Sequence, residues 1–252
     1  MRSPQLDEHL ACLVRERIEM VITSVGSPRR VVGPLHDVGC RVFADVATLA
    51  HAEKALADGV DGLVLLAGGA GGQTGWVNPF AFVRAVRGIF SGAIILAGGI
   101  ADGQALWAAR ALGADLAYMG TRFIATRESL ASAAYRAMLV QCTFDDVMTS
   151  PAFSGLDANW LRPSIVAAGL DPDALATQVQ RIDDKELFDS KAPRRWTEIW
   201  SAGHSVAGVQ RVQAVADLVD EVASQYNEAR QRSLALRAAP MTPRDGEPYG
   251  LE

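Results

Sequence analysis

The sequence predicts an α/β fold in which parallel β-strands alternate with α-helices. Five short apolar runs are rich in β-forming residues, and helical patterns lie between them. The runs recur at roughly 20 to 30 residues per unit, the length that a βα repeat needs. Because crossovers between parallel strands are right-handed, successive units place their strands in one sheet.

Each apolar run has glycine or another small residue at its far end. This is typical of a buried strand of a parallel sheet that leads into a loop. The predicted strands cover residues 19–26, 41–47, 62–68, 93–99 and 116–121.

The connecting segments repeat apolar residues at helical spacing. The clearest are "TLAHAEKALADG" at 48–59 and "DGQALWAARALG" at 102–113. Gly39, Gly59 and Gly113 each end a predicted helix just before a strand, as C-cap glycines do.

After residue 123 the alternation stops. The sequence then predicts a helix at 128–140, short helical pieces between Pro-containing turns at 151–176, and an amphipathic helix at about 206–232. The last residues carry several prolines without periodicity, which predicts disorder. The expected organisation is a partial βα barrel at 1–127, a helical extension packed on it at 128–235, and a disordered tail at 236–252.

The composition excludes several functional classes. The 252 residues are 49% hydrophobic, enough for one sizeable core, and no apolar run is long enough for a membrane span. A net charge of −5 argues against a nucleic-acid surface, so small molecules are the expected partners. No signal-like leader opens the chain, which predicts a cytoplasmic protein. Three widely spaced cysteines fit reduced core thiols better than a metal site, so no metal is expected.

Glycines at the ends of neighbouring strands predict an anion site. "AGGI" follows the fourth predicted strand and "MGTRF" the fifth, which places Gly98, Gly99, Gly120 and Thr121 at strand ends. Glycine lets main-chain N–H groups approach an anion, and in a barrel of eight βα units the last two loops are the usual phosphate site. The alternative is that these glycines only relieve crowding at strand ends.

The stretch "GGIADGQALWAARALGADLAYMGTRFIATRES" at 98–129 closely resembles the nitronate monooxygenase family, formerly the 2-nitropropane dioxygenases. "IWSAG" at 199–203 looks like a second family segment. The resemblance implies a TIM (β/α)8-barrel that binds FMN. It implies phosphate contacts with the main chain around Gly98, Gly99, Gly120 and Thr121, and it makes Met119 a further cofactor-binding residue.

The same resemblance implies that the loop after the third strand, with Gly71 and Gly72, lies near the isoalloxazine ring of FMN. It identifies a flavin-dependent oxidoreductase better than it identifies a substrate, because related enoyl-thioester and quinone reductases share the signature. The substrate expected first is an alkyl nitronate oxidised with O2. A reductase of enoyl thioesters or quinones with NAD(P)H as reductant remains open.

Three positions bear on the chemistry. Gln73 stands where well-known relatives have a histidine, and an amide can hydrogen-bond a substrate but cannot act as a base at neutral pH. Asp45 stands where some relatives carry a lysine, with a structural role as the alternative. His204, directly after "WSAG", is the histidine that could approach the substrate. Gln73 and His204 are the candidate catalytic residues.

A complete family barrel begins with strands that are not recognisable in this sequence. We therefore expect only about the last five βα units of the barrel. An unclosed parallel sheet would leave raw edges. The open explanations are a misassigned start, a fragment, or a homo-oligomer that covers the edges. A non-catalytic barrel fragment is the competing hypothesis of another class.

Overall fold

The computed structural model describes residues 5–175 and 197–238. Its main element is a five-stranded sheet with strand order β1-β2-β3-β5-β6, in which every neighbouring pair is parallel. The short strand β4 (Gly72–Gln73) belongs to a second sheet. The strands are β1 (Met20–Thr23), β2 (Arg41–Val46), β3 (Gly62–Leu66), β5 (Ala93–Ala97) and β6 (Leu116–Tyr118). All five predicted strands are therefore present, each as one unit of a βα series.

Helices follow each strand of this sheet. α1 (Leu6–Arg15) precedes β1, and the later helices are α2 (Arg29–His36), α3 (Leu49–Ala57), α4 (Pro79–Ile89), α5 (Gly103–Leu112) and α6 (Thr121–Ile124). The predicted C-cap glycines are confirmed in conformation: Gly39, Gly59 and Gly113 have φ values of 80°, 91° and 111°. That left-handed region is the one that glycine adopts without steric cost.

The two faces of the sheet pack against different partners. Ala44, Val46, Leu63 and Leu65 belong to the larger core cluster, which includes buried side chains of the surrounding helices. Residues one position out of step form a smaller cluster on the opposite face, with Phe43, Val64, Ala70, Ile95 and Ala97. Because side chains alternate along a strand, this second face points away from the helices, and it is called the inner face of the sheet.

The segment after α6 is not wholly helical. It contains α7 (Ala133–Gln141), then an antiparallel hairpin of β7 (Val147–Ser150) and β8 (Ala158–Leu161), then α8 (Arg162–Ala167). The prediction of only helical pieces at 151–176 was therefore wrong for β8. The strand is four residues long, and Trp160 is fully buried in a separate cluster, so tertiary packing decides its conformation.

The last described helix, α9 (Val215–Ala238), packs on α5. A Cβ at Gly103 would collide with the backbone of Val222 and Tyr226, so the two helices meet backbone to backbone. Gln225 Oε1 accepts a hydrogen bond from Gly103 N at 3.0 Å, and Trp107 Nε1 donates to Ser233 Oγ at 2.9 Å. This helix begins later and ends later than the pattern at 206–232 predicts, and a 3₁₀ turn covers 204–208.

Three further expectations concern the cysteines, a possible membrane span and the C-terminal tail. Cys40 and Cys142 are buried, but Cys12 is exposed on α1, so the expectation of core thiols was wrong for Cys12. Within the described ranges, no helix has the length and apolar character to cross a membrane. The tail predicted to be disordered lies, from residue 239 onward, outside the described residues.

Candidate functional site

A cavity of about 350 Å³ lies at the carboxyl ends of the parallel strands. Its walls come from the inner-face residues at those ends, from the loops that follow β3, β5 and β6, and from the segment around residues 201–205. This is the edge at which α/β barrels place their ligands. The volume lies within the range of small-molecule and cofactor sites.

The glycines predicted to form an anion site all lie along this cavity. Gly98, Gly99, Gly120 and Thr121 line one part of it. Gly98 has φ of 123° and Gly99 has φ of 73°, so the backbone takes a course that other residues rarely adopt. α6 begins at Thr121 with Gly120 as its N-cap and has no side-chain cap. Main-chain donors therefore edge this part of the cavity.

Residues 201–203 contact the loops that follow β3 and β6. Gly203 N donates to Thr121 Oγ1 at 3.0 Å, and a Cβ on Gly71 would lie 2.8 Å from Gly203 N. Ser201 and Ala202 consequently line the cavity. The family segment that the sequence singled out therefore closes one side of the candidate site.

The loop after β3 is held by the hairpin. Gly72 and Gln73 form β4, which pairs with β8 in a three-stranded antiparallel sheet. The buried Asn159 donates from Nδ2 to Ala70 O at 2.7 Å, and Thr74 Oγ1 donates to Ala67 O at 3.1 Å. The cavity lining includes Gly71, Gly72 and Gln73. The hairpin thus fixes the loop that carries the candidate catalytic amide.

The side chains of two predicted residues do not line the cavity, and the main-chain contact of Met119 stays a prediction. Met119 packs towards the helix-facing core, because its neighbour Tyr118 takes the inward position at the end of β6. The His204 side chain is exposed, with its ring against Gly69, while its backbone N donates to Gly69 O at 2.9 Å. Ser205, the next residue, lines the cavity instead. The structure therefore does not bring the His204 imidazole together with Gln73.

Asp45 also lines the cavity, from the end of β2. Its Oδ1 atom is buried and has no hydrogen-bond partner. Burial raises the pKa of this carboxyl, and a hydrogen bond with the Ser24 side chain partly opposes the change. The sequence indicated a possible change of local charge at this position, but it could not show that Oδ1 would be left without a partner.

Comparison with known proteins places the chain in a family. The model of the nitronate monooxygenase family matches residues 2–225, so the chain belongs to this family of flavin-dependent oxidoreductases. A nitronate monooxygenase of Paraburkholderia phytofirmans is 33% identical over 173 residues, which are 65% of this chain and 47% of that protein.

A second relative carries a different name. A Mycobacterium tuberculosis protein named as (3aS,4S,5R,7aS)-5-hydroxy-7a-methyl-1-oxo-octahydro-1H-indene-4-carboxyl-CoA dehydrogenase is 27% identical over 162 residues, covering 63% of this chain and 46% of that one. The chain thus spans about half the length of the curated relatives it matches.

Solved structures establish the fold. FabK from Thermotoga maritima superposes with a TM-score of 0.77 at 24% identity, covering 94% of this chain and 76% of that one. Nitroalkane oxidase from Streptomyces ansochromogenes gives a TM-score of 0.77 at 24% identity, with 90% and 69% covered. The fold is therefore of the TIM-barrel α/β type, with five successive βα units in the described residues.

Proposed function

We propose that this protein is an FMN-dependent oxidoreductase that oxidises alkyl nitronates with O2. The observation that carries the proposal is the pair of glycine loops at neighbouring strand ends, because Gly98, Gly99, Gly120 and Thr121 edge one cavity. Membership of a flavin-dependent family and the similarity to a nitronate monooxygenase support it.

The residues present fit a flavin mononucleotide. The loop at Gly98 and Gly99 turns at positive φ, and no atom would lie within 4 Å of a Cβ on Gly99 or on Gly120, so both glycines adjoin open space. Main-chain N–H groups of these loops would hold the phosphate, as they do at helix and strand ends elsewhere. Gly71 and Gly72 would lie beside the ring system. Bound FMN supplies the electron transfer, which protein side chains cannot perform.

Gln73 then acts on the substrate. Its amide N–H groups donate to a nitro or carbonyl oxygen, and its attachment to β8 through β4 fixes its position. A donor placed where negative charge develops stabilises the transition state.

A second candidate substrate is an acyl thioester, with NAD(P)H as a reductant if the reaction is a reduction. Two points favour it: the family resemblance puts Gln73 where well-known relatives have a histidine, and one of the relatives is named for a CoA thioester. The experiment that separates the two compares O2 consumption by the FMN-loaded protein with propyl-2-nitronate against NAD(P)H oxidation with an enoyl-CoA. Nitronate-dependent O2 consumption supports the proposal, and thioester-dependent NAD(P)H oxidation alone would replace it.

We also propose that two copies of the chain associate. In the described residues β1 pairs only with β2, so its other edge is open, and an apolar hollow between α1 and β1 adjoins it. Open strand edges and apolar hollows are covered in stable proteins. Light scattering coupled to size exclusion should give a dimer or larger species, whereas a monomer at micromolar concentration would contradict this.

A further inference from the structure

The Asp45 side chain lies on the inner face of the parallel sheet. Ala44 and Val46 belong to the helix-facing core, whereas Phe43 belongs to the inner-face cluster. Asp45 is two residues from Phe43, so it takes the same inward direction, and it lines the cavity together with Gln73 and Leu66. A carboxyl group therefore lies in the same cavity as the candidate amide.

One oxygen of this carboxyl has no partner within the described part of the chain. Oδ1 is buried without a partner, and no cationic side chain contributes to its pKa, which burial raises and the Ser24 hydroxyl partly lowers. A buried polar atom without a partner costs stability. A polar group of a ligand could supply the missing hydrogen bond to Oδ1. The raised pKa also makes this carboxylate a stronger base than an exposed aspartate.

The charges around the cavity favour a neutral ligand group beside Asp45. Among the described residues that line it, Asp45 is the only acidic or basic side chain, and Tyr118 carries the only phenol. Tyr118 lies on β6, three strand positions from β2, which is about 14 Å at the usual strand spacing. A nitronate anion entering beside Asp45 meets like charge, whereas its conjugate acid, the neutral nitroalkane, does not.

We propose that Asp45 is the base that removes the α-proton of a neutral nitroalkane in this cavity. The C–H bond breaks, the proton goes to the Asp45 carboxylate, and the electron pair moves onto the nitro group, whose oxygens accept hydrogen bonds from Gln73. The negative charge is conserved: a carboxylate and a neutral substrate become a neutral acid and a nitronate. The inference rests on the proposed function and names the residue that would form the nitronate within the cavity.

Proton exchange tests this step without any redox turnover. The FMN-loaded protein is mixed under anaerobic conditions with excess 2-nitropropane in D2O, and loss of the C2 proton is followed by ¹H NMR. The wild-type protein should accelerate exchange over buffer, and Asp45→Asn should lose about 100-fold or more of that acceleration, the usual contribution of a general base. The matched control is Asp37→Asn, because Asp37 is exposed at the end of α2 and lies outside the cavity.

Ser24→Ala gives a second, independent readout. Removing the hydroxyl that opposes the effect of burial should raise the pKa of Asp45 further. The acid limb of the exchange rate against pH should therefore move to higher pH. A carboxyl that only supports the fold would leave this limb in place.

The outcomes separate this inference from the proposed function. The function is tested by O2 consumption of the wild-type protein with preformed propyl-2-nitronate, a substrate from which no proton has to be removed. Exchange by Asp45→Asn equal to wild type, or no wild-type exchange above buffer, would overturn the role of Asp45. Absence of nitronate oxidation by the wild-type protein would instead overturn the proposed function.

Discussion

Thr121 Oγ1 accepts a hydrogen bond from Gly203 N at 3.0 Å, and both residues are buried. This bond joins two segments 82 residues apart in the chain: the loop after β6 and the segment that closes the cavity. The Thr121 side chain thus holds the loop after β6 against the segment around Gly203.

Thr121→Val should weaken this connection. Valine has the shape of threonine but leaves the Gly203 N–H buried without an acceptor, which costs about 1 to 3 kcal/mol. Urea unfolding should show the loss, together with weaker FMN retention. Thr121→Ser keeps the hydroxyl and is the control. It should retain most of the wild-type stability and FMN binding. Equal stability of the valine and serine variants would contradict the role given to this bond.

Asp45→Asn should stabilise the protein at neutral pH. Because burial raises the pKa of Asp45 in the folded state, ionisation penalises folding, and the penalty grows as pH rises from the unfolded pKa through the folded one. In acid, where the carboxyl is protonated in both states, the penalty is absent. The Tm of Asp45→Asn should therefore exceed that of wild type at pH 7, and the excess should shrink as pH falls.

Asp115→Asn is the control, because it should change the Tm at pH 7 in the opposite direction to Asp45→Asn. Burial alone would raise the pKa of Asp115, but hydrogen bonds from Ile94 N and Arg87, with the charges of Arg87 and Arg110, lower it overall. Its ionised form therefore supports folding above its unfolded pKa, and that support is lost as pH falls through the lower folded pKa. Asp115→Asn should lower the Tm at pH 7. If both variants shifted the Tm in the same direction at pH 7, the pKa assignments would be wrong.

Gln73→Ala should slow turnover while FMN stays bound. Loss of one oriented donor costs about 1 to 3 kcal/mol of transition-state stabilisation, seen in kcat/KM. Gln73→His should place an imidazole in the cavity and restore part of the proton exchange lost in Asp45→Asn. Unchanged kcat/KM in Gln73→Ala would contradict the catalytic role proposed for Gln73.

Gly99→Asp should weaken FMN binding by tenfold or more, equivalent to about 1.4 kcal/mol. No atom lies within 4 Å of a Cβ at this position, so the new carboxylate has room but repels a phosphate. Gly99→Asn is the control, because asparagine has nearly the same shape and shares the tolerance of aspartate for the positive φ of 73°. Equal loss in both variants would mean that backbone strain, not charge, is responsible.

The features that sequence predicted well are local ones. The strands of the parallel sheet are continuous apolar runs, and Gly59 and Gly113 mark helix ends because only glycine adopts their φ values easily. The glycine loops at Gly98 and Gly120 follow from the same reasoning, and the parallel sheet brings them to one edge.

The features that sequence missed depend on contacts between distant segments. β8 is a strand because Trp160 is buried and Asn159 bonds to Ala70 O, 89 residues away. The Met119 side chain turns to the core because Tyr118 takes the cavity side, a register that depends on where β6 begins, and the cofactor contact of the Met119 main chain stays a prediction. That Asp45 lacks a partner at Oδ1 is a property of the assembled barrel, and no spacing in the sequence carries it.

The most direct test of the central claim compares the binding of FMN with that of riboflavin, which differs from FMN only by the phosphate. Calorimetric titration of flavin-free protein with each compound gives the two dissociation constants. If the loops at Gly98, Gly99, Gly120 and Thr121 hold a phosphate, FMN should bind at least tenfold more tightly, since hydrogen bonds to charged groups contribute about 1.5 to 3 kcal/mol each. Equal affinity for FMN and riboflavin, or no binding of either, would contradict the assignment of this cavity as a flavin mononucleotide site.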